Sequence, residues 1–215
     1  MGEGADATGA GRPRPLLLDP LAWHVTLFFG IQSMLFYAIL AWLPSLYRDH
    51  GLSPATAGFL LSLAGLVQIP VTLLLPGIAS RAADQVRHTV VATLLIGAGL
   101  AGILVAPLAA PYLWAVLVGV GTGAAFALAL AMFVLRADQV ADTARLSAMA
   151  QTVGYLISAC GPLLVGLIHG LTGSWNPPLI VLLVLVVPLL WSGIRAGRAG
   201  VIGTRRVPAP ADDHS

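Results

Sequence analysis

The sequence has no lysine, one glutamate (Glu3) and one cysteine (Cys160), and charged residues make up only 9% of its 215 residues. A soluble domain carries roughly a quarter charged residues. The lone cysteine excludes an intrachain disulfide and a cysteine-based metal cluster. Acidic groups are equally scarce where chemistry would need them. Glu3, Asp6, Asp19, Asp49, Asp84, Asp138, Asp142, Asp212 and Asp213 all fall in tails or loops, so no paired carboxylates or Ser-His-Asp set is expected. His24 and His169 lie at opposite ends of apolar runs, which argues against a shared metal site. Gly119-Val-Gly-Thr-Gly123 has the glycines of a phosphate loop but lies inside an apolar run, so it reads as helix packing. Enzyme chemistry, a bound metal and a cofactor are therefore not expected. Nor is nucleic-acid binding, because the small positive balance of +2 comes from arginines at helix ends.

What the chain does contain is long apolar segments. Hydrophobic residues make up 58% of it, and its mean hydropathy is +0.90. Six segments approach the ~20 residues needed to cross a bilayer as helix: 21–43, ending at Pro44; 55–78; 88–105; 112–135; 146–169; and 178–194. Ser53 and Pro54 suit the cap and first turn of the second. The expected organisation is a disordered tail over 1–19, a transmembrane bundle over 20–195 and a basic-to-polar tail over 196–215. Leu16–Leu18 is too short for a signal-peptide core, which needs roughly 7–15 apolar residues. Numbering the loops alternately puts ten of the 11 arginines on one side and only Arg48 on the other. That bias predicts both termini in the cytoplasm, which an even number of spans requires. The fold class is thus an all-α integral membrane protein in the plasma membrane.

The segments differ in polarity. The sixth reads LIVLLVLVVPLLW and has nothing to hide from lipid. The third is similar beyond its first turns, with Ala98 and Gly102 as a notch for a close neighbour. The first carries Gln32, Ser33, Phe36 and Tyr37. The second carries Gly58, Ser62, Gly65, Gln68 and Thr72 on one helical face, and the fourth has Gly119, Gly123 and Ala127 at four-residue spacing. The fifth, Leu146–Ile168, keeps Gln151 and Tyr155 one turn apart, with Gly154 beside them and Gly161-Pro162 further on. An amide facing hydrocarbon without a partner costs several kcal/mol. The simplest arrangement therefore puts segments one, two, four and five around a polar lumen, with three and six outside.

The candidate solute-binding residues are Gln32, Tyr37, Gln68, Gln151 and Tyr155. Each has a plainer alternative. Gln32 and Gln151 would serve as hydrogen bonds between helices, and Gln68 would serve a carbonyl freed by Pro70. The tyrosines would serve simple packing. Trp42 and Trp175 read as interfacial anchors, and Cys160 as a small buried packing residue. Without charge in the lumen, the implied solute is small and either neutral or a weakly hydrated, delocalised anion.

Several blocks also resemble one family. Gly30-Ile-Gln-Ser33, Phe36-Tyr37, Trp42-Leu-Pro44 and Asp49-His-Gly-Leu-Ser53 are similar to the seventh helix and following loop of the cyanate and 2-nitroimidazole transporter-like branch of the major facilitator superfamily. The Arg81…Asp84-Gln85…Arg87 loop resembles the loop between that family's eighth and ninth helices. Leu146-Ser147, Met149-Ala-Gln151, Gly154-Tyr155, Gly161-Pro162 and Gly173-Ser-Trp175 resemble its eleventh helix and the turn after it. The likeness covers about residues 20–195. The superfamily's Gly-xxx-Asp-Arg loop signature is degraded here, with Arg81 four residues after Gly77. The resemblance implies the C-terminal six-helix half of a secondary transporter working by alternating access. Its partners would be the lipid bilayer, a small-molecule solute and a second, separately encoded six-helix half or another copy of itself. It also implies a cytoplasmic loop or gate at Arg81, Asp84 and Arg87. The alternative is a non-transporting membrane scaffold or truncated transporter remnant.

Overall fold

The computed structural model describes residues 16–203. They form a single 3-10 turn, Leu16–Leu18, and then α1 (Pro20–Asp49), α2 (Pro54–Ala79), α3 (Val86–Val105), α4 (Pro111–Leu135), α5 (Val140–Thr172) and α6 (Asn176–Gly197), with no strand among the described residues. All six helices are long and apolar enough to cross a membrane. Arg12, Arg14, Arg205 and Arg206 lie outside the described residues. The described arginines divide as the loop count expects. The helix ends next to Arg81, Arg87, Arg136, Arg145, Arg195 and Arg198 form one end of the bundle, and Arg48 lies at the other.

Helix boundaries depart from the sequence reading in two places. α1 does not stop at Pro44 but continues to Asp49. Proline removes one backbone donor, yet Leu43, Leu46 and Tyr47 are buried on either side of it, and their packing outweighs that loss. α5 begins at Val140, six residues before the apolar run, because Asp142 to Arg145 continues the helix past the lipid-length segment. Asp142 and Arg145 approach to 3.8 Å on that exposed turn. Ser53 caps α2 as expected, its hydroxyl accepting from the Thr56 amide at 3.1 Å, with Pro54 in the first turn.

The tails are ordered where they meet the bundle. Asp19 caps α1, its Oδ1 accepting from the Leu21 amide at 2.8 Å. After α6 the chain folds back: the Ile202 amide donates to the Arg136 carbonyl at 2.9 Å, and the Gly203 amide to Asp19 Oδ2 at 2.6 Å. The expected tails over 1–19 and 196–215 are thus structured at 16–19 and 196–203.

α1 and α4 are the most enclosed spans and α2 and α5 the least. Two glycine-lined crossings set the geometry. Where α1 meets α5, a Cβ on Gly154 would lie 2.5 Å from Phe29 Cδ1 and 3.3 Å from Gly30 Cα. Where α2 meets α4, a Cβ on Gly119 would lie 2.8 Å from Ala64 Cα, and one on Gly123 would lie 3.1 Å from Gln68 Cα. The close neighbour expected for Gly119 and Gly123 is therefore α2. The notch on α3 is displaced from its expected place: Gly99 and Gly102 face Val118 and Trp114 of α4, while Ala98 is exposed. Cys160 is also exposed, on the open side of α5, and not buried as the sequence suggested. It lies next to Gly161 in sequence but a helical step away from the face that packs on Met34.

Candidate functional site

A cavity of about 230 Å³ opens between α1, α2, α4 and α5. Its walls are Gln32, Ser33, Phe36 and Tyr37 of α1, Gln68 of α2, Phe126 of α4 and Tyr155 of α5. α3 and α6 contribute no side chain to it, because they pack behind α1 and α4. Residues 32, 33, 36 and 37 share one face of a 3.6-residue helix. A single helix can therefore present an amide, a hydroxyl and two rings to the same space.

Ring contacts hold the walls. Phe29 lies one turn toward the arginine-bearing end and meets Tyr155 edge-on at 5.4 Å, Phe133 at 5.6 Å and Phe126 at 6.4 Å. Phe36 and Tyr37 stand edge to face at 5.2 Å. Gln32 Nε2 donates to Ser33 Oγ at 2.8 Å, which fixes one amide of the site and directs it along the wall. Gln68 is held by its stem, which lies against Gly123. Tyr37 and Tyr155 are 38% and 46% exposed, so the cavity opens on the side of the bundle where α2 and α5 are uncovered. Its contents are amides, hydroxyls and aromatic faces, with no ionised side chain. Such a wall can bind a small solute through hydrogen bonds and ring contact.

Four of the five sequence-derived residues, Gln32, Tyr37, Gln68 and Tyr155, thus meet around one space. Gln151 does not line it. Its Nε2 donates to Ser147 Oγ at 2.6 Å within α5, which satisfies the amide along its own helix. Thr72, from the same polar stripe as Gln68, turns to α4 and donates to the Gly123 carbonyl at 3.4 Å. Phe126 was missed altogether, since an isolated phenylalanine in an apolar run carries no signal of facing a cavity. Ser33 and Phe36 were visible only as neighbours of Gln32 and Tyr37.

At the arginine-bearing end, Arg81, Asp84 and Arg87 are all exposed; no ion pair joins them among the described residues. The buried group there is Arg136. Its Nε donates to the Ala196 carbonyl at 2.8 Å, its Nη2 to the Gly197 carbonyl at 3.0 Å and to Gln85 Oε1, and its Nη1 to the Leu135 carbonyl at 3.2 Å. Gln85 continues the network, Nε2 donating to the Ala79 carbonyl at 3.0 Å. Burial lowers the pKa of Arg136, while Asp84 pulls the other way. Arginine starts so high that the group stays charged. The C-terminal carbonyls of α4 and α6 thus share one cation, and Gln85 ties the end of α2 to it. The opposite end is tied by indoles. Trp42 Nε1 donates to the Pro162 carbonyl at 2.9 Å, and Trp175 Nε1 to Asp49 Oδ2 at 2.9 Å, with His169 stacked on Trp175 at 3.9 Å. Both tryptophan donors are spent inside the protein.

The sequence pattern of the Major Facilitator Superfamily matches residues 25–206. The chain belongs to the major facilitator superfamily. Among relatives, it is 40% identical to the 2-nitroimidazole transporter of Escherichia coli (strain K12) over 188 residues, which are 86% of this chain and 47% of that protein. It is 37% identical over 181 residues to the uncharacterized transporter YycB of Bacillus subtilis (strain 168), covering 83% of this chain and 44% of YycB. It is 31% identical over 163 residues to the cyanate transport protein CynX of Escherichia coli (strain K12), covering 76% and 42%. The chain spans less than half the length of these relatives. As a major facilitator with six spanning helices, it is a multi-pass membrane protein of a transporter family.

Proposed function

We propose that this chain is one half of a secondary transporter of the plasma membrane that moves a small neutral or weakly hydrated anionic solute by alternating access. The observation that carries the reading is the uncharged cavity between α1, α2, α4 and α5, open on the side where the bundle lacks cover. Major facilitator halves face each other with the solute near the midplane between them. A second six-helix half, separately encoded or another copy of this chain, would close the space. The amides of Gln32 and Gln68 and the hydroxyls of Ser33, Tyr37 and Tyr155 would replace solute hydration, and Phe36 and Phe126 would meet a planar face. The arginine bias supports a cytoplasmic location for the Arg136 end. On that reading, Arg81, Asp84 and Arg87 belong to a cytoplasmic gate hinged on the Arg136–Gln85 network. The names of the relatives make 2-nitroimidazole and cyanate the first probes.

The test is site protection. In a Cys160→Ser background, Ser33→Cys puts a thiol on the cavity wall, and Val184→Cys puts one on the exposed side of α6. N-ethylmaleimide labelling in membranes should slow saturably at position 33 when a transported probe is added, and stay constant at position 184. Saturable uptake without protection at position 33 would place the solute elsewhere.

A further inference from the structure

A second cavity, of about 90 Å³, adjoins the first and shares Phe36 and Gln68 with it. Its other walls include Leu40, Leu61, Ala64, Gly65 and Val118. Each of these lies on the Asp49 side of the first cavity along its own helix: Leu40 after Phe36 on α1, Leu61 to Gly65 before Gln68 on α2, and Val118 before Phe126 on α4. The offset is about one helical turn, ~5.4 Å. The chamber is apolar in practice. Thr122, its one hydroxyl, donates back to the Val118 and Gly119 carbonyls at 2.8 and 3.2 Å. A Cβ built on Gly65 would meet nothing within 4 Å, so a side chain there has room to enter.

We propose that the solute site is bipartite. The first cavity takes a planar polar head, and this second chamber takes an apolar arm of about three carbons attached opposite the polar group, with Gly65 setting the permitted arm length. The inference rests on reading the first cavity as the solute site. Phe36 and Gln68 stand at the junction, so the ring of the head lies against Phe36 while the arm passes beyond the Gln68 amide. An arm buried there leaves water at about 0.8 kcal/mol per carbon, roughly fourfold in affinity each. Solutes lacking the arm leave the chamber to water or lipid and lose that increment.

The experiment compares benzoate with 4-propylbenzoate by calorimetry on the full chain in lipid nanodiscs. The wild-type chain should bind the propyl compound at least tenfold more tightly. Gly65→Leu should abolish that advantage while holding benzoate affinity within about twofold. Leucine is a better helix former than glycine, and the position is open, so the variant keeps the fold. Gly58→Leu is also open at its Cβ but lines neither cavity, and it should change neither affinity. If Gly65→Leu leaves the propyl advantage intact or weakens both ligands alike, the bipartite site is refuted while the polar cavity stands. If Gly58→Leu removes the advantage equally, the arm lies in lipid or against the open helix face, and the proposal fails. If the wild-type chain binds neither ligand, the bipartite site is refuted, and the protection test at position 33 decides the polar cavity separately.

Discussion

At the scale of single residues, glycine does more for this site than any polar group, because it decides which helices meet. Gly30 and Gly154 let α1 and α5 touch backbone to backbone, and that contact puts Tyr155 beside Phe29 and across from Gln32. Overfilling such a contact costs typically 1–3 kcal/mol. Gly154→Leu should therefore lower the unfolding temperature of the purified chain in detergent, whereas Gly170→Leu, with nothing near its Cβ, should not. Equal behaviour of the two would mean the crossing is looser than described. The polar residues of the cavity were legible because an uncharged amide in a spanning helix has few places to go. Gln151 shows the limit of that argument. A serine four residues away satisfies it within the helix, and residue type and spacing alone do not separate that outcome from a cavity wall. Cys160 failed for a related reason: an apolar helix in a membrane protein has no obligation to bury every face, so hydropathy does not report which side is covered.

At the scale of elements, the helices were legible through their apolar length, and their ends were not. Pro44 reads as a stop, but α1 continues because buried residues beyond it hold the last turn. The chain after α6 reads as a tail, yet its backbone closes onto Arg136 and Asp19. These are long-range events, which local periodicity does not encode: the Ile202–Arg136 bond spans 66 positions and the Asp19–Gly203 bond 184. Arg136 was counted only for its charge, although it joins the ends of α4 and α6 and the start of α3. Arg136→Met would leave the Ala196 carbonyl and Gln85 Oε1 without their donor, and the Gly197 carbonyl with only the Gln85 backbone N–H, at about 1–3 kcal/mol for each group left buried and unpaired. Hydrogen exchange at the Gln85 and Ile202 amides should accelerate by tenfold or more in that variant. Arg195→Met, whose guanidinium lies 5.8 Å from the Trp191 ring centre, should leave both rates unchanged. Unaltered exchange in Arg136→Met would mean that the helix ends hold without it.

At the scale of the whole molecule, α2 and α5 stand out as spanning helices with little cover from the rest of the bundle. Their open sides carry small and polar residues, among them Ser62 and Thr152, beside a cavity whose amides and tyrosines are poorly suited to lipid. The division into lumen-facing and peripheral helices could be read from polarity alone. A second half was expected only through the family resemblance, since residue polarity reports what a surface is made of and not what lies against it. The account stands or falls on that face meeting another six-helix unit. Single cysteines at Ser62 and Thr152, in a Cys160→Ser background, allow cross-linking in membranes that take up solute. The account predicts that both positions cross-link to a six-helix partner or to a second copy, and that uptake falls with the fraction cross-linked. A chain that stays monomeric at both positions and still transports when reconstituted by itself would contradict it.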